Sequence, residues 1–485
     1  MDYALLFTDF SKNHCGWSQQ RLLHECLRSA IKTGKLNSGT RMLATRQLAS
    51  DLGIARNTVL YAYEQLATEG YVRSDRRGTF VADIKLAKVR DEHVSQLLHP
   101  GLSQRAQVLP SRQPETSLTA AFTPGIPSLV DFPIHLWRRL LERAWSSTTA
   151  TQLNYGDAAG EPLLRAAIAD HLRASRGVIC EPSQVFITDG TQSSLDLCAH
   201  AFADKGDVVW MESPGYRGAL NAFHAAELRI HPIAVDLDGI APSEDDWHKS
   251  SPKLIYVTPS HQFPLGGVLT LERRIALIEQ ARTAGALLIE DDYDSEFRHD
   301  GPPLPAMQGL MPNAPVIYLG TFSKTMFPAL RIGFMIVPQG FVAAINDLVS
   351  QSVSRGRTAD QLALADFLSS GQFARHLRRM RRLYRQRRDG MNAALERHTR
   401  AFGKVYGTSS GMHLVLALDE SISDMKVSAN ALEQGIVAHA LSAHVIGEVK
   451  AIRNGLVLGY AQVPIQQIDE AVRKLSKIIK DAKSF

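Results

Sequence analysis

Residues 316–331 read VIYLGTFSKTMFPALR. The run opens without polar alternation, as a strand buried on both faces does, and its chemistry begins where that strand ends. Ser323 and Lys324 come just past the strand, and Arg331 follows seven residues later. A lysine at a strand end is ordinarily a solvated one. In a partly desolvated site it can instead lose its proton and condense with a carbonyl, the task of a Schiff-base lysine. Thr321 and Ser323 put hydroxyls beside it, and Arg331 adds a planar guanidinium able to grip phosphate through two N–H groups.

Working outward, VFIT (185–188), DVVWM (207–211), KLIYVT (253–258), ALLIE (286–290) and GFMIV (333–337) are runs of the same kind, several separated by helical patterns. They predict a mostly parallel sheet covered by helices within residues 122–485. In VFITDGTQSSLDL the strand breaks at Asp189 and Gly190 and a helix starts, so the N–H groups of Gly190, Thr191 and Gln192 face an anion. In ALLIEDDYDSEF the strand delivers Asp291 to its C-terminal end, where ligands bind in open α/β sheets. A carboxylate there can keep a pyridinium nitrogen protonated, and Tyr293 lies two residues on. Taken singly, DGTQ also reads as a turn and helix cap, and EDDYD as a divalent-cation cluster or a solvated acidic loop.

The chain has 485 residues, 45% hydrophobic and 21% charged, which excludes a peptide hormone or a lone binding module and fits an ordinary soluble globular protein. Cys15, Cys26, Cys180 and Cys198 form neither a CxxC pair nor a Cys/His zinc spacing, so no metal is expected and a reducing cytoplasm fits best. MDYALLFTDF at the start lacks the basic region of a signal peptide, and no apolar run is long enough to span a membrane. Net charge is +5, and residues 1–90 hold 14 Lys+Arg against 8 Asp+Glu, whereas the remaining 395 hold 40 against 41. This asymmetry suggests a polyanion-binding module on a nearly neutral body, with a solvated basic face as the alternative.

Within that basic fifth, residues 18–33 predict an amphipathic helix with Leu22, Leu23, Cys26, Leu27, Ala30 and Ile31 on one face. Further helices are predicted from Thr45 to Leu52 and from about Asn57 to Thr68, then two short strands around a basic turn in YVRSDRRGTFV (71–81). Gly53 and Ile54 turn between the paired helices, leaving Arg56, Asn57 and Thr58 at the N-terminus of the second, where a recognition helix meets the major groove. Arg46 lies across the turn, and Arg73, Arg76 and Arg77 flank Gly78. From about 84 to 120 periodicity fades amid Pro100, Pro110 and Pro114, as in a linker, with a helical stretch around 93–98; residues 350–400 are arginine-rich and helical in pattern.

RQLASDLGIARNTVLYAYEQLATEGYV and RRGTFV closely resemble the winged helix-turn-helix of the GntR family. The resemblance implies dimeric binding to operator DNA, with Arg46, Arg56, Asn57 and Thr58 on the DNA and Arg76, Arg77, Gly78 and Thr79 in the wing. TDGTQ, SPGY, PSHQFPLG, EDDYDSEF and GTFSK with Arg331, in that order, resemble the fold-type I aminotransferases, whose cofactor is pyridoxal 5′-phosphate (PLP). That resemblance implies that Lys324 carries PLP as a Schiff base, Asp291 pairs with the pyridine nitrogen and Tyr293 contacts the phenolic oxygen. Gly190, Thr191, Gln192, Thr321, Ser323 and Arg331 would hold the phosphate, and Tyr216 would stack on the ring. Tyr155 in NYGDAAG would reach the phosphate of a partner subunit. Two departures stand out. Phe263 occupies the place of the usual asparagine in Asn-Pro-x-Gly, and Val457 that of the usual carboxylate-binding arginine, for which Arg453 or Arg217 is a candidate substitute.

A winged helix (15–83), a linker (84–120) and an aminotransferase-like PLP-binding and dimerisation domain (121–485) together resemble the MocR subfamily of bacterial regulators. The expected protein is multidomain: a small α+β DNA-binding domain, then a large α/β fold-type I domain. Its expected function is transcription regulation from the cytoplasm by a homodimer, possibly domain-swapped, that binds operator DNA and senses PLP or a small amine exchanging onto it. A working aminotransferase with an accessory DNA-binding domain is the alternative.

Overall fold

The computed structural model describes residues 2–14, 16–83, 101–103, 105–106, 120–236, 238–301, 304–352, 356–448 and 454–483. Most of the expected linker, its helical stretch at 93–98 and Arg453 lie outside these residues. The chain divides into two compact units, Met1–Gly101 and Leu102–Phe485.

In the first unit, α1 (Tyr3–Lys12), α2 (Gln19–Lys32), α3 (Thr45–Leu52) and α4 (Arg56–Thr68) precede a hairpin of β1 (Val72–Asp75) and β2 (Gly78–Val81). Helix α2 buries Leu23, Cys26, Leu27, Ala30 and Ile31 of the predicted apolar face and leaves Leu22 half-buried at its edge, and Ser18 caps it by accepting from the Arg21 N–H. Leu48, Val59, Tyr63, Leu66, Val72 and Val81 complete one core. Helix α1 was not predicted: Asp2 caps it through the N–H groups of Ala4 and Leu5, and Tyr3, Leu6 and Phe7 seat it on that core.

The second unit is built on an eight-stranded sheet of order β3-β10-β9-β8-β7-β4-β5-β6. Its strands are β3 (Val185–Thr188), β4 (Val208–Ser213), β5 (Arg229–Asp236), β6 (Gly239–Ile240), β7 (Leu254–Val257), β8 (Leu287–Asp292), β9 (Val316–Thr321) and β10 (Gly333–Ile336). Neighbours from β9 through β5 run parallel, whereas β10 is antiparallel to both β3 and β9, and β6 to β5. The strands predicted within residues 122–485 all lie in this sheet, which is mixed because GFMIV and the short edge strand β6 reverse direction. Both faces are covered: Ile317 and Leu319 pack in one apolar cluster, while Val316 and Tyr318 of the same strand pack in others. A second sheet, β11 (Gly403–Tyr406), β12 (His413–Leu418), β13 (His439–Ala440) and β14 (Gly455–Gly459), is antiparallel in the order β11-β12-β14-β13. The 28-residue helix Gln372–Thr399 precedes it in the chain.

Candidate functional site

Register sets the centre of the site. Strands β8 and β9 pair Asp291 with Leu319 and Asp292 with Gly320, so the acidic end of one strand lies beside the GTFSK turn of the other. Lys324 is half-buried, and its Nζ donates to the Gly125 carbonyl at 2.9 Å. Gly125 has φ +73°, and a β-carbon there would come within 2.7 Å of Nζ, so the close approach requires glycine.

Asp291 is 3% exposed. Its Oδ2 accepts from the Tyr256 hydroxyl at 2.8 Å, and its Oδ1 has no hydrogen-bond partner. Burial pushes its pKa up to about 7, opposed by the Tyr256 bond and the Lys324 charge and helped by Asp292 and Asp294. An orphaned, buried carboxylate oxygen is costly unless a donor comes to it, and a pyridinium N–H is such a donor. The residues present fit that group.

This burial sets a pH dependence. When a carboxyl binds its proton more tightly folded than unfolded, the unfolded chain ionises first as pH rises. The contribution of Asp291 to the stability of the ligand-free protein therefore falls between about pH 4 and 7 and stays lower above. In Asp291→Asn the fall should be shallower, read as a smaller difference between urea midpoints at pH 5 and pH 8. An identical pH profile in parent and variant would remove Asp291 as a cause.

The anion cradle forms where β3 meets the helix Thr191–Phe202. Gly190, at φ +91°, stands at its N-cap, and a β-carbon there would lie 3.4 Å from the Arg331 guanidinium. Arg331 donates to the Asp189 carbonyl at 2.8 Å, and Thr321 Oγ1 accepts from the Ser323 N–H at 3.2 Å. Gly190, Thr191, Gln192, Thr321, Ser323 and Arg331 thus belong to two adjoining turns. The sequence reading missed Arg357, which is hydrogen-bonded to the Leu330 carbonyl at 2.8 Å and paired with the Asp189 carboxylate. It lies 26 residues from Arg331 in sequence, and no motif marks it.

Tyr293 does not stand alone. Its hydroxyl donates to the His261 carbonyl at 2.9 Å and lies 3.0 Å from His261 Nδ1, which also contacts both Asp294 oxygens at 3.0 and 3.1 Å. Phe263 sits edge-on to Tyr216, Tyr293 and His444 and packs on His413, with ring centroids 5.2 to 6.1 Å away. Burial pushes the His444 pKa down to about 4 and holds His413 well below the usual imidazole range, so both are neutral at pH 7. Val457 is buried with Val235, Leu265, Val415 and Leu441, an apolar surround in place of an anion-binding one. Arg217 donates to the Ala443 carbonyl. Tyr155 is 90% exposed on this chain.

In the first unit, Arg46, Arg56, Asn57, Arg76 and Arg77 are exposed, with Gly78 and Thr79 half-buried in the hairpin. Thr58 is 7% exposed and buried with the core-facing side of α4, so the three residues opening that helix do not form one outward edge. Arg56 Nε donates to Thr45 Oγ1 at 3.4 Å, and Ser74 and Thr79 hydroxyls bond across the wing at 3.0 Å. Arg41, not singled out from sequence, lies against the wing, its Nε 3.1 Å from where a Gly78 β-carbon would be.

Residues 20–81 match the family of bacterial regulatory proteins of the gntR type, and residues 131–475 match aminotransferase class I and II. The probable rhizopine catabolism regulatory protein MocR of Rhizobium meliloti is 40% identical over 459 residues, 94% of this chain and 92% of the relative. The pyridoxine biosynthesis regulator PdxR of Corynebacterium glutamicum is 32% identical over 90% of this chain and 91% of its own length. Among solved structures, the Pyrococcus horikoshii kynurenine aminotransferase in complex with PMP superposes with a TM-score of 0.72 at 27% identity, over 78% of this chain and 97% of its own. No helix among the described residues is long and apolar enough to cross a membrane. The order of the two matched regions and the full-length likeness lead to one assignment: the chain belongs to the MocR-type regulators, in which a gntR helix-turn-helix precedes an aminotransferase class I and II domain.

Proposed function

We propose that this regulator binds operator DNA through α4 and the β1–β2 wing, and that its large domain holds PLP on Lys324 and responds to PLP itself or to an amine that takes its place. The observation that carries this reading is a half-buried lysine just past the end of β9 and, at the end of the adjacent β8, a buried carboxylate whose Oδ1 lacks a donor. Bound there, the cofactor supplies an electrophilic carbonyl and an electron-withdrawing ring. Asp291 would fix the proton on the ring nitrogen, Tyr293 and His261 would face the phenolic oxygen, and Arg331 with the N–H groups of Thr191 and Gln192 would hold the phosphate. Tyr216 would cover the ring, and Tyr155, exposed on its own chain, would serve the partner subunit's site in a homodimer in the cytoplasm.

Regulation requires a ligand that binds two conformations of the domain unequally. An amine bound to the cofactor in place of Lys324 would change what Lys324 itself contacts, including its bond to Gly125, and this residue is where such a difference would be felt. The apolar surround of Val457 and the neutral His413 and His444 favour PLP or an amine without an ordinary α-carboxylate over a common amino acid. They also disfavour efficient transamination, since lost substrate positioning costs orders of magnitude in rate.

Titration of the purified protein with PLP tests the reading. Visible absorption should grow to one equivalent per chain, and candidate amines should then shift it without steady turnover of a keto acid. A protein that stays colourless throughout refutes the cofactor reading, and sustained turnover would make the large domain an enzyme.

A further inference from the structure

The helix Gln372–Thr399 carries a charge pattern that neither the proposed cofactor site nor the winged helix uses. From Gln372 to Arg388 it holds eight arginines and no acidic residue. Arg375, Arg378, Arg379, Arg382 and Arg385 are all exposed, and their spacing of three and four residues puts them along one side. The inward neighbours behave differently: Arg381 donates to the Glu296 carbonyl, and Arg387 is buried and paired with Asp131. Of the outward five, Arg375 bonds Gln372, and Arg379 and Arg385 bond the backbone carbonyls of Asp131 and His299. Arg378 and Arg382 make no hydrogen bond or ion pair among the described residues.

This stripe works against its own helix. Like charges three and four residues apart repel, and cations in the N-terminal half oppose the helix dipole. At Arg378 and Arg382 the broken rule has no compensating contact among the described residues, and such a position marks a surface made for something else. The stripe runs about 15 Å along the axis, over which duplex DNA presents about nine phosphate charges. The body that carries it is otherwise slightly acidic in sum, so the charge is concentrated and not general.

The geometry points to a second nucleic-acid surface: the exposed arginines of Gln372–Arg388 contact the phosphate backbone of duplex DNA, independently of sequence and apart from the winged helix. The inference rests on the DNA-binding reading only for the partner's identity, and the test separates the two. The full-length protein is titrated with a 60-bp mixed-sequence duplex across a series of KCl concentrations. Arg378→Gln/Arg382→Gln, Arg46→Ala/Arg56→Ala and the combined variant are compared with the parent.

Each phosphate contact contributes about 0.9 to the slope of log K against log salt, so each double variant should lose close to two units and the combination close to four. Arg378→Lys/Arg382→Lys should restore most of the first loss, because lysine keeps the charge. Absorption with PLP should match the parent in the two stripe variants. An unchanged slope in Arg378→Gln/Arg382→Gln overturns the proposal while leaving the winged helix intact. The converse, a loss there and none in Arg46→Ala/Arg56→Ala, upholds it and overturns the reading of α4. A slope loss seen on single-stranded RNA of equal length and not on the duplex, or one accompanied by a lowered Tm, also overturns it.

Discussion

In Lys324→Ala, added PLP is expected to produce no visible absorption from a cofactor joined to an amine, and to bind at least about 100-fold more weakly, some 2.7 kcal/mol. Lys324 supplies the amine placed beside Asp291, and a phosphate grip and ring contacts alone must then hold the ligand. The fold should survive. The side chain is half-buried, and its hydrogen bond to Gly125 is a single contact worth about 1 kcal/mol. Equilibrium dialysis for affinity and thermal melting for folding separate the two effects. Persistent visible absorption in the variant would place the reactive amine elsewhere.

Asp292→Ala should bring the largest loss of stability, about 3–5 kcal/mol in urea unfolding, because it leaves a buried guanidinium uncompensated. Arg176 Nε donates to Asp292 Oδ2 at 2.8 Å, and the Tyr318 hydroxyl donates to the same oxygen at 2.5 Å. Both charged side chains are almost wholly excluded from solvent. Arg176 also donates to Ser260 Oγ at 2.6 Å, which ties the helix Pro162–Arg176 to the turn after β7. Asp292→Asn keeps an acceptor and should cost markedly less. Should the alanine variant lose under 1 kcal/mol, the ion pair is not what holds this side of the sheet.

Legibility in the sequence follows what local patterns can encode. VIYLG and ALLIE are plain because strands covered on both faces read as nearly continuous apolar runs, and the positions proposed to meet the cofactor come at or just past their ends. RIHPIAVD, strand β5, is not, because it pairs near the sheet edge with polar residues and Pro232 interrupting the pattern. The antiparallel course of β10 could not be read from composition at all, since its burial matches that of its parallel neighbours. Helix α1 escaped because its apolar face, Tyr3, Leu6 and Phe7, acquires meaning only against the core of the other three helices.

The lysine, the aspartate and the two turns proposed to meet the cofactor are legible as phrases, because each phrase is a strand end and its turn. His261 with Asp294, and Arg357 with Asp189, are not: they meet across 33 and 168 residues, through tertiary packing alone. Thr58 shows the reverse error, a polar residue placed outward by motif and turned inward by the helix period. Phe263 and Val457 are legible as departures, and the structure adds what surrounds them, a cluster of rings around one and a buried apolar cluster around the other.

The hydrogen bond from Lys324 to Gly125 has a mechanical side. Ala120 to Gly125 is where the chain arriving from the DNA-binding unit is pinned: Ala121 bridges to Ile436, the Phe122 carbonyl takes the Gly459 N–H at 2.8 Å, and the Gly125 carbonyl takes the lysine. The amine proposed to carry the cofactor is therefore also a peg in the anchorage of this segment. On the proposed function, a ligand that engaged the amine would take this hydrogen bond from Gly125 and leave the segment held by its backbone contacts alone.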